Sequence, residues 1–225
     1  MREFPTRPSC DWAGAGTWCV TFTRGVTPDE VLARYGAVPH HARVMPKREA
    51  DNLGADSYRT GTAKSVLRVG ALGDWSFCHE TWGVLGAMPG PLSALSRDTE
   101  TFTVDLGGDG MNTFGHWRGG RCTEVFEPGE PATRPLPPHP WWDAVQEQRE
   151  AAGSGEPGLV PAVRVIGDYI GAILDDDTVD GPLSTLLLGE DHPVRPPSPG
   201  GRGRGAVVPL TNGTGSAGPR SAPPA

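Results

Sequence analysis

Lysine is almost absent from this chain: Lys47 and Lys64 are the only two, and arginine carries the rest of the positive charge. Closely paired cysteines are absent too. Cys10, Cys19, Cys78 and Cys122 stand far apart with no C-x-x-C pair, which excludes the close-spaced ligand sets of a structural zinc site. Without an export signal, reduced thiols are expected. Cys19, Cys78 and Cys122 fall in strand-like runs and read as small buried thiols. No run approaches the roughly 20 apolar residues of a membrane span, and the N-terminus lacks the apolar core of a signal peptide. A cytoplasmic protein without membrane association is the expectation. Also missing are G-x-S-x-G, Walker A and dinucleotide fingerprints. Val69-Gly70-Ala71-Leu72-Gly73 leads into a strand instead of a helix, so it is no phosphate loop. No cofactor and no metal are expected.

What the chain does have is acid, glycine and proline. Net charge is −7 over 225 residues. The four arginines after Glu190 outweigh Glu190 and Asp191, so residues 1–189 hold 16 basic against 25 acidic residues, a net of −9. An acidic body argues against non-specific binding to nucleic acid. Glycine and proline together number 56 and are unevenly placed. Beyond residue 189 the chain is Pro/Gly/Ser/Arg-rich and too poor in apolar residues to offset the entropy of ordering, which predicts a disordered tail over 189–225. The arginine and the Ala, Gly and Pro load point to a GC-rich coding sequence.

Residues 17–37 carry the clearest architecture. Trp18-Cys19-Val20-Thr21-Phe22-Thr23 reads as a strand. Thr27 as N-cap, Pro28 at the first helical position and Glu30 closing a capping box then start a helix. Val31, Leu32 and Tyr35 give it an apolar stripe, and Gly36 a left-handed end. The stretch 38–62, with His40-His41, has no clean period and reads as loop or weak helix. A hairpin over 63–80 turns at Gly73-Asp74. Pro89 to Arg97 reads as a short helix, and Thr99 to Leu106 as a strand with Phe102, Val104 and Leu106 on one face. A second hairpin turns at Gly119-Gly120, with a bulge expected at Gly115. Helices are expected over 141–152 and 159–174, and a short closing helix over 178–188. The acidic run Asp175-Asp176-Asp177 is unfavourable at a helix C-terminus, so that helix either ends early or the run is engaged. Together these predict a single α+β domain over 12–188. It has a mainly antiparallel sheet of five or six strands, one early helix and C-terminal helices, after a flexible stretch 1–11 that Trp12 tethers to the core.

The motif W-C-V-T-F-T-R-G-V-T-P-D-E-V-L-A-R-Y-G at 18–36, V-G-A-L-G-D-W-S-F at 69–77 followed by Glu80, and V-F-E-P at 125–128 resemble an uncharacterised actinobacterial (Streptomyces-type) family of cytosolic domains of unknown function. The resemblance covers about residues 12–188 and implies fold and source, with no activity attached. Cys78-His79 before Glu80, and Trp82 in place of a glycine-rich turn, depart from that pattern.

Chemistry-bearing residues are few. Glu80, between His79 and Trp82, is a candidate acid if burial raises its pKa; the plainer alternative is a strand-end carboxylate in water or paired with arginine. Cys78 and His79 are adjacent and so face opposite sides of a strand, which leaves His116 as the partner a Cys78 nucleophile would need. Tryptophan, enriched at binding hot spots, occurs seven times. Arg24, Trp75, Glu80 and Trp82 are therefore the candidate binding residues, and no catalytic residue is assigned. The leading expectation is a non-catalytic binding or regulatory module for a protein or peptide partner. The alternatives are a small hydrolase or transferase using Glu80 or Cys78, and an acidic immunity or antitoxin-like protein that neutralises a partner. Convergence of Glu80, Cys78 and His116 in one wet pocket would favour the enzyme.

Overall fold

The computed structural model describes residues 8–14, 16–62, 65–108, 110, 112–153 and 159–189. Eight antiparallel strands form one sheet: β1 (Trp18–Arg24), β2 (Arg43–Met45), β3 (Ser65–Leu72), β4 (Trp75–Glu80), β5 (Glu100–Leu106), β6 (Asn112–Arg118), β7 (Arg121–Phe126) and β8 (Leu183–Leu188). Their spatial order is β2-β8-β3-β4-β1-β5-β6-β7. The helices are α1 (Pro28–Arg34), α2 (Lys47–Thr60), α3 (Pro89–Leu95), α4 (Pro140–Ala152), α5 (Val160–Ile170) and α6 (Asp176–Asp180). The α+β single-domain expectation holds. The first seven residues and the tail from 190 on lie outside the described residues.

Strands β1 and β4 occupy the centre, with Cys19 opposite Glu80 and Arg24 opposite Trp75. Both sides of each are buried; on β1, Val20 and Phe22 take one face, and Thr21 and Thr23 take the other with their hydroxyls bonded to Tyr35 and Thr101. On one face Val20, Phe22, Phe77, Phe102 and Phe114 pack beneath α4 and α5 through Val145, Val163 and Ile166. On the other, Leu67, Val69 and Cys78 pack beneath α1 and α3 through Val31, Leu32 and Leu95.

The early strand-helix unit forms as read, with one difference. Thr27 Oγ1 accepts from the Glu30 amide at 3.2 Å, but the Glu30 carboxylate pairs with Arg34 at 2.6 Å instead of closing a box. The C-terminal helix of the pair ends early, at Ile170, where Gly171 takes a left-handed φ of 77°. The acidic run then serves a new helix. Asp175 caps α6 by accepting from the Thr178 amide at 2.9 Å, so these carboxylates meet the favourable end of a helix dipole. Glu124 does a similar service across space, accepting from the Trp141 and Trp142 amides at the start of α4, each at 3.1 Å.

Five expectations are corrected. The sheet has eight strands, not five or six. Residues 38–62 hold strand β2 and the 14-residue helix α2, whose buried face is Ala50, Gly54 and Ser57; small residues at helical spacing give no hydrophobic period. Residues 183–188 form strand β8 between β2 and β3, because pairing with both neighbours overrides the helical preference of leucine. The bulge lies between His116 and Trp117, and Cys122 is exposed while Cys10 is buried.

Gly86 sits where three buried side chains close on the backbone. A Cβ there would come within 2.7 Å of Tyr35 Oη, 2.8 Å of Glu80 Oε1 and 2.9 Å of Cys19 Sγ. Gly86→Ala is expected to destabilise the protein by about 2 kcal/mol in urea unfolding, as overpacking of a fixed site does. An unchanged midpoint would show that this contact gives way freely.

Candidate functional site

Adjacent residues at the end of β4 meet opposite surroundings. Glu80 turns toward α1 and α3 and is fully buried. Its carboxyl accepts from Ser65 Oγ at 2.6 Å, the Gly86 amide at 2.7 Å, the Leu85 amide at 3.0 Å and Tyr35 Oη at 3.3 Å. Burial lifts its pKa to about 7 against the downward pull of those four donors. Cys78 shares that face and is buried as well, and burial with the nearby Glu80 pushes its thiol up. His116 lies on β6 among Phe102 and Trp141 of the other face. The Glu80, Cys78 and His116 side chains do not converge, and none of them lines any of the cavities described below.

His79 points to the opposite side and lines an open cavity of about 570 Å³, within the size range of small-ligand sites. Four stretches far apart in sequence build it: 11–18, 47–51, 79–82 and 176–180. Asp11 and Trp12 come from a short 3-10 turn, Trp18 from the start of β1, Lys47 and Asp51 from α2, and Asp176 and Asp180 from α6. Thr81 and Trp82 complete the wall.

The lining is held by a chain of polar ties. Asp176 accepts from the amides of Trp12 at 2.8 Å and Asp11 at 3.2 Å, and against the upward push of burial a hydrogen bond with Ser9 and these two amides hold its carboxyl below the usual range. Trp12 Nε1 donates to the Leu174 carbonyl at 2.8 Å, and its ring stands edge-on to Trp18 at 4.8 Å and to His79 at 5.1 Å. Asp51 takes Lys47 Nζ at 2.8 Å and Thr81 Oγ1 at 3.0 Å. Trp82 leans on Gly54, where a Cβ would overlap its ring.

Next to His79 on the adjacent strand, Arg68 is completely buried. Its guanidinium donates to the carbonyls of Val179 at 2.5 Å and Gly181 at 2.8 Å, at the end of α6 where a cation complements the free carbonyls. Burial, with Arg68 and Lys47 nearby, lowers the His79 pKa to about 3, so the imidazole is neutral at physiological pH. Two buried atoms of the lining residues, His79 Nδ1 and Trp18 Nε1, have no hydrogen-bond partner among the described residues.

The four sequence candidates separate. Trp82 lines this cavity. Glu80 sits behind it, sealed on the other face. Arg24 and Trp75 pair at the far end of β1 and β4, where Trp75 is buried against Phe102 and Tyr169. There Arg24 donates to the buried Glu100 at 3.1 Å, Tyr169 Oη donates to the same carboxylate at 3.2 Å, and His116 Nε2 lies 3.4 Å from it. The sequence reading missed His79, Asp51, Asp176 and Arg68. The one available signal was the pairing of Trp12 as a tether with an acidic run that had to be engaged by something.

The architecture defines an α+β protein with a two-faced antiparallel sheet and a tryptophan-lined cavity at one strand end. The chain belongs to the DUF6461 family, a family of unknown function, whose pattern matches residues 8–153. No curated protein and no solved structure matches it. Among the described residues no cluster of three or more His, Cys, Asp or Glu is arranged to hold a metal ion, and no helix is long and apolar enough to cross a membrane.

Glu80 and His79 oppose each other in pH linkage. Between about pH 4.5 and 7 the native Glu80 keeps a proton that the unfolded carboxyl has lost, so its contribution to stability falls as pH rises. The native His79 stays neutral down to about 3 while the unfolded imidazole protonates near 6.5, so its contribution falls as pH drops from 6.5. Each slope is about 1.4 kcal/mol per pH unit at most. His79→Leu removes one of them. The stability of the variant minus that of the parent is expected to rise by about 2 to 3 kcal/mol between pH 6.5 and 4.5 in urea unfolding. A pH-independent difference would mean that His79 titrates alike in both states.

Proposed function

We propose that this protein is a non-catalytic binding module that seats a small ligand, or a side chain of a protein or peptide partner, in the cavity above His79. The observation that carries this reading is the lining itself. Three indoles, a neutral imidazole and a ring of carboxylates converge on one open space from four distant segments. Trp18 Nε1 and His79 Nδ1, both on lining residues, are buried without partners among the described residues, at a cost of about 1 to 3 kcal/mol each that a ligand's polar group would offset. The enzymatic alternative through Glu80 or Cys78 draws no support from their position, since both are sealed on the face opposite the cavity and neither lines it. A soluble, cytoplasmic setting with a protein partner suits the acidic body and the binding reading together. An immunity-like role would be one form of it.

A thermal-shift screen of peptides and metabolites tests the proposal. A ligand held at about 100 times its dissociation constant adds about 2.7 kcal/mol of stability. Thr17→Trp, which places an indole at the exposed rim of the cavity, is expected to abolish the shift for every true ligand. Shifts that survive Thr17→Trp unchanged would place the binding surface elsewhere.

A further inference from the structure

The charges and rings of the cavity narrow what it accepts, if the binding reading above is right. Asp11, Asp51, Asp176 and Asp180 line it against a single cation, Lys47. That cation is already engaged by Asp51 at 2.8 Å. Arg68, behind the wall, is committed to the Val179 and Gly181 carbonyls, and His79 is neutral. Asp180 has no hydrogen-bond or ion-pair partner among the described residues and is exposed at the rim. The lining therefore carries a net charge of −3, and the buried Arg68 behind it acts on Asp180 and Asp51 through space without forming an ion pair with either.

The part-exposed indoles of Trp12 and Trp82 stand in the same wall. Indole faces attract cations through the ring quadrupole, more strongly when water is excluded. An independent requirement comes from the more deeply placed atoms. Trp18 is 3% and His79 2% exposed, and the Trp18 indole N–H has no acceptor within the described residues. An oxygen acceptor on the ligand that reached it would gain a hydrogen bond the fold leaves unmade.

We propose that the cavity binds an organic cation, a guanidinium or alkylammonium group borne on a molecule with a nearby carbonyl or carboxylate oxygen, with the cation between the Trp12 and Trp82 indoles and Asp180. A basic residue within a peptide and a free basic amino acid share this chemistry. Electrostatic attraction from the −9 body favours the approach of either.

Isothermal titration of the 225-residue chain tests this with four probes: Nα-acetyl-arginine N-methylamide, free arginine, tetramethylammonium, and the neutral isostere Nα-acetyl-citrulline N-methylamide. Saturable binding by an arginine probe is expected, with the citrulline probe weaker by about tenfold or more. Tetramethylammonium, which has the charge without the oxygen, is expected to bind more weakly than the arginine probes. Trp82→Leu is expected to weaken arginine binding by about tenfold. Asp180→Asn, at an exposed position with no internal bond to lose, is expected to weaken it by about threefold. Preference for the capped form assigns a peptide as the source, and preference for free arginine assigns an amino acid.

Equal binding of the citrulline and arginine probes would overturn the cation assignment, as would arginine binding indifferent to both substitutions. If no arginine probe binds while a neutral or anionic ligand gives a thermal shift that Thr17→Trp abolishes, the cation assignment falls and the binding reading stands. If every thermal shift survives Thr17→Trp, both fall.

Discussion

A single buried carboxyl fixes the end of the central strand on which everything else is arranged. Glu80 gathers Ser65 from β3, Tyr35 from the end of α1, and two consecutive amides, of Leu85 and Gly86, from the loop before α3. Tyr35 extends the network to Thr21 on β1 at 3.0 Å, and the Gly86 carbonyl accepts from Thr103 on β5 at 2.7 Å. Four adjacent strands and two helical segments are thus tied at one point. A slip of one residue in β4 would put Glu80 on the wrong face and lose every bond. With the register pinned, His79 has only the opposite face available to it.

On that opposite face the same economy of charge recurs around α6. Its N-terminus is surrounded by carboxylates, with Asp175 as cap and Asp176 reaching across to the Asp11 and Trp12 amides. Its C-terminal carbonyls receive Arg68. A helix of five residues has little stability of its own, so these ties decide where it sits, and its placement sets one wall of the cavity. Trp12 is placed by the same route, through Asp176 and Leu174. The site and the C-terminal part of the chain are therefore one construction, although the family pattern stops at residue 153.

Much of the architecture was legible in the residues, and the failures have physical reasons. Trp18 to Gly36 declared a strand and a capped helix because β-branched residues, Thr27, Pro28 and Gly36 act locally. Helix α2 was hidden because its buried side is Ala50, Gly54 and Ser57, and β8 because leucines pair in a sheet only when neighbours from elsewhere arrive. The site was less legible. β4 is buried on both sides, so its sequence carries no alternation to say which face is sealed and which is open. Glu80 looked like the chemical residue and His79 like its neighbour. Trp82 lines the cavity, while Trp75 packs into the core and Arg24 spends its charge on Glu100. Asp51 and Asp176 became visible only once α2 and α6 were folded against each other.

The central claim is that β4 divides at its end into a sealed strut and the wall of a ligand cavity. One NMR titration of the folded protein from pH 3 to 8 tests it most directly, following the side-chain carboxyl carbon of Glu80 and the ring nitrogens of His79 together. The account predicts a Glu80 midpoint near 7 and a His79 ring that stays neutral until about pH 3. A Glu80 ionised throughout that range, with His79 titrating near its ordinary 6.5, would contradict it.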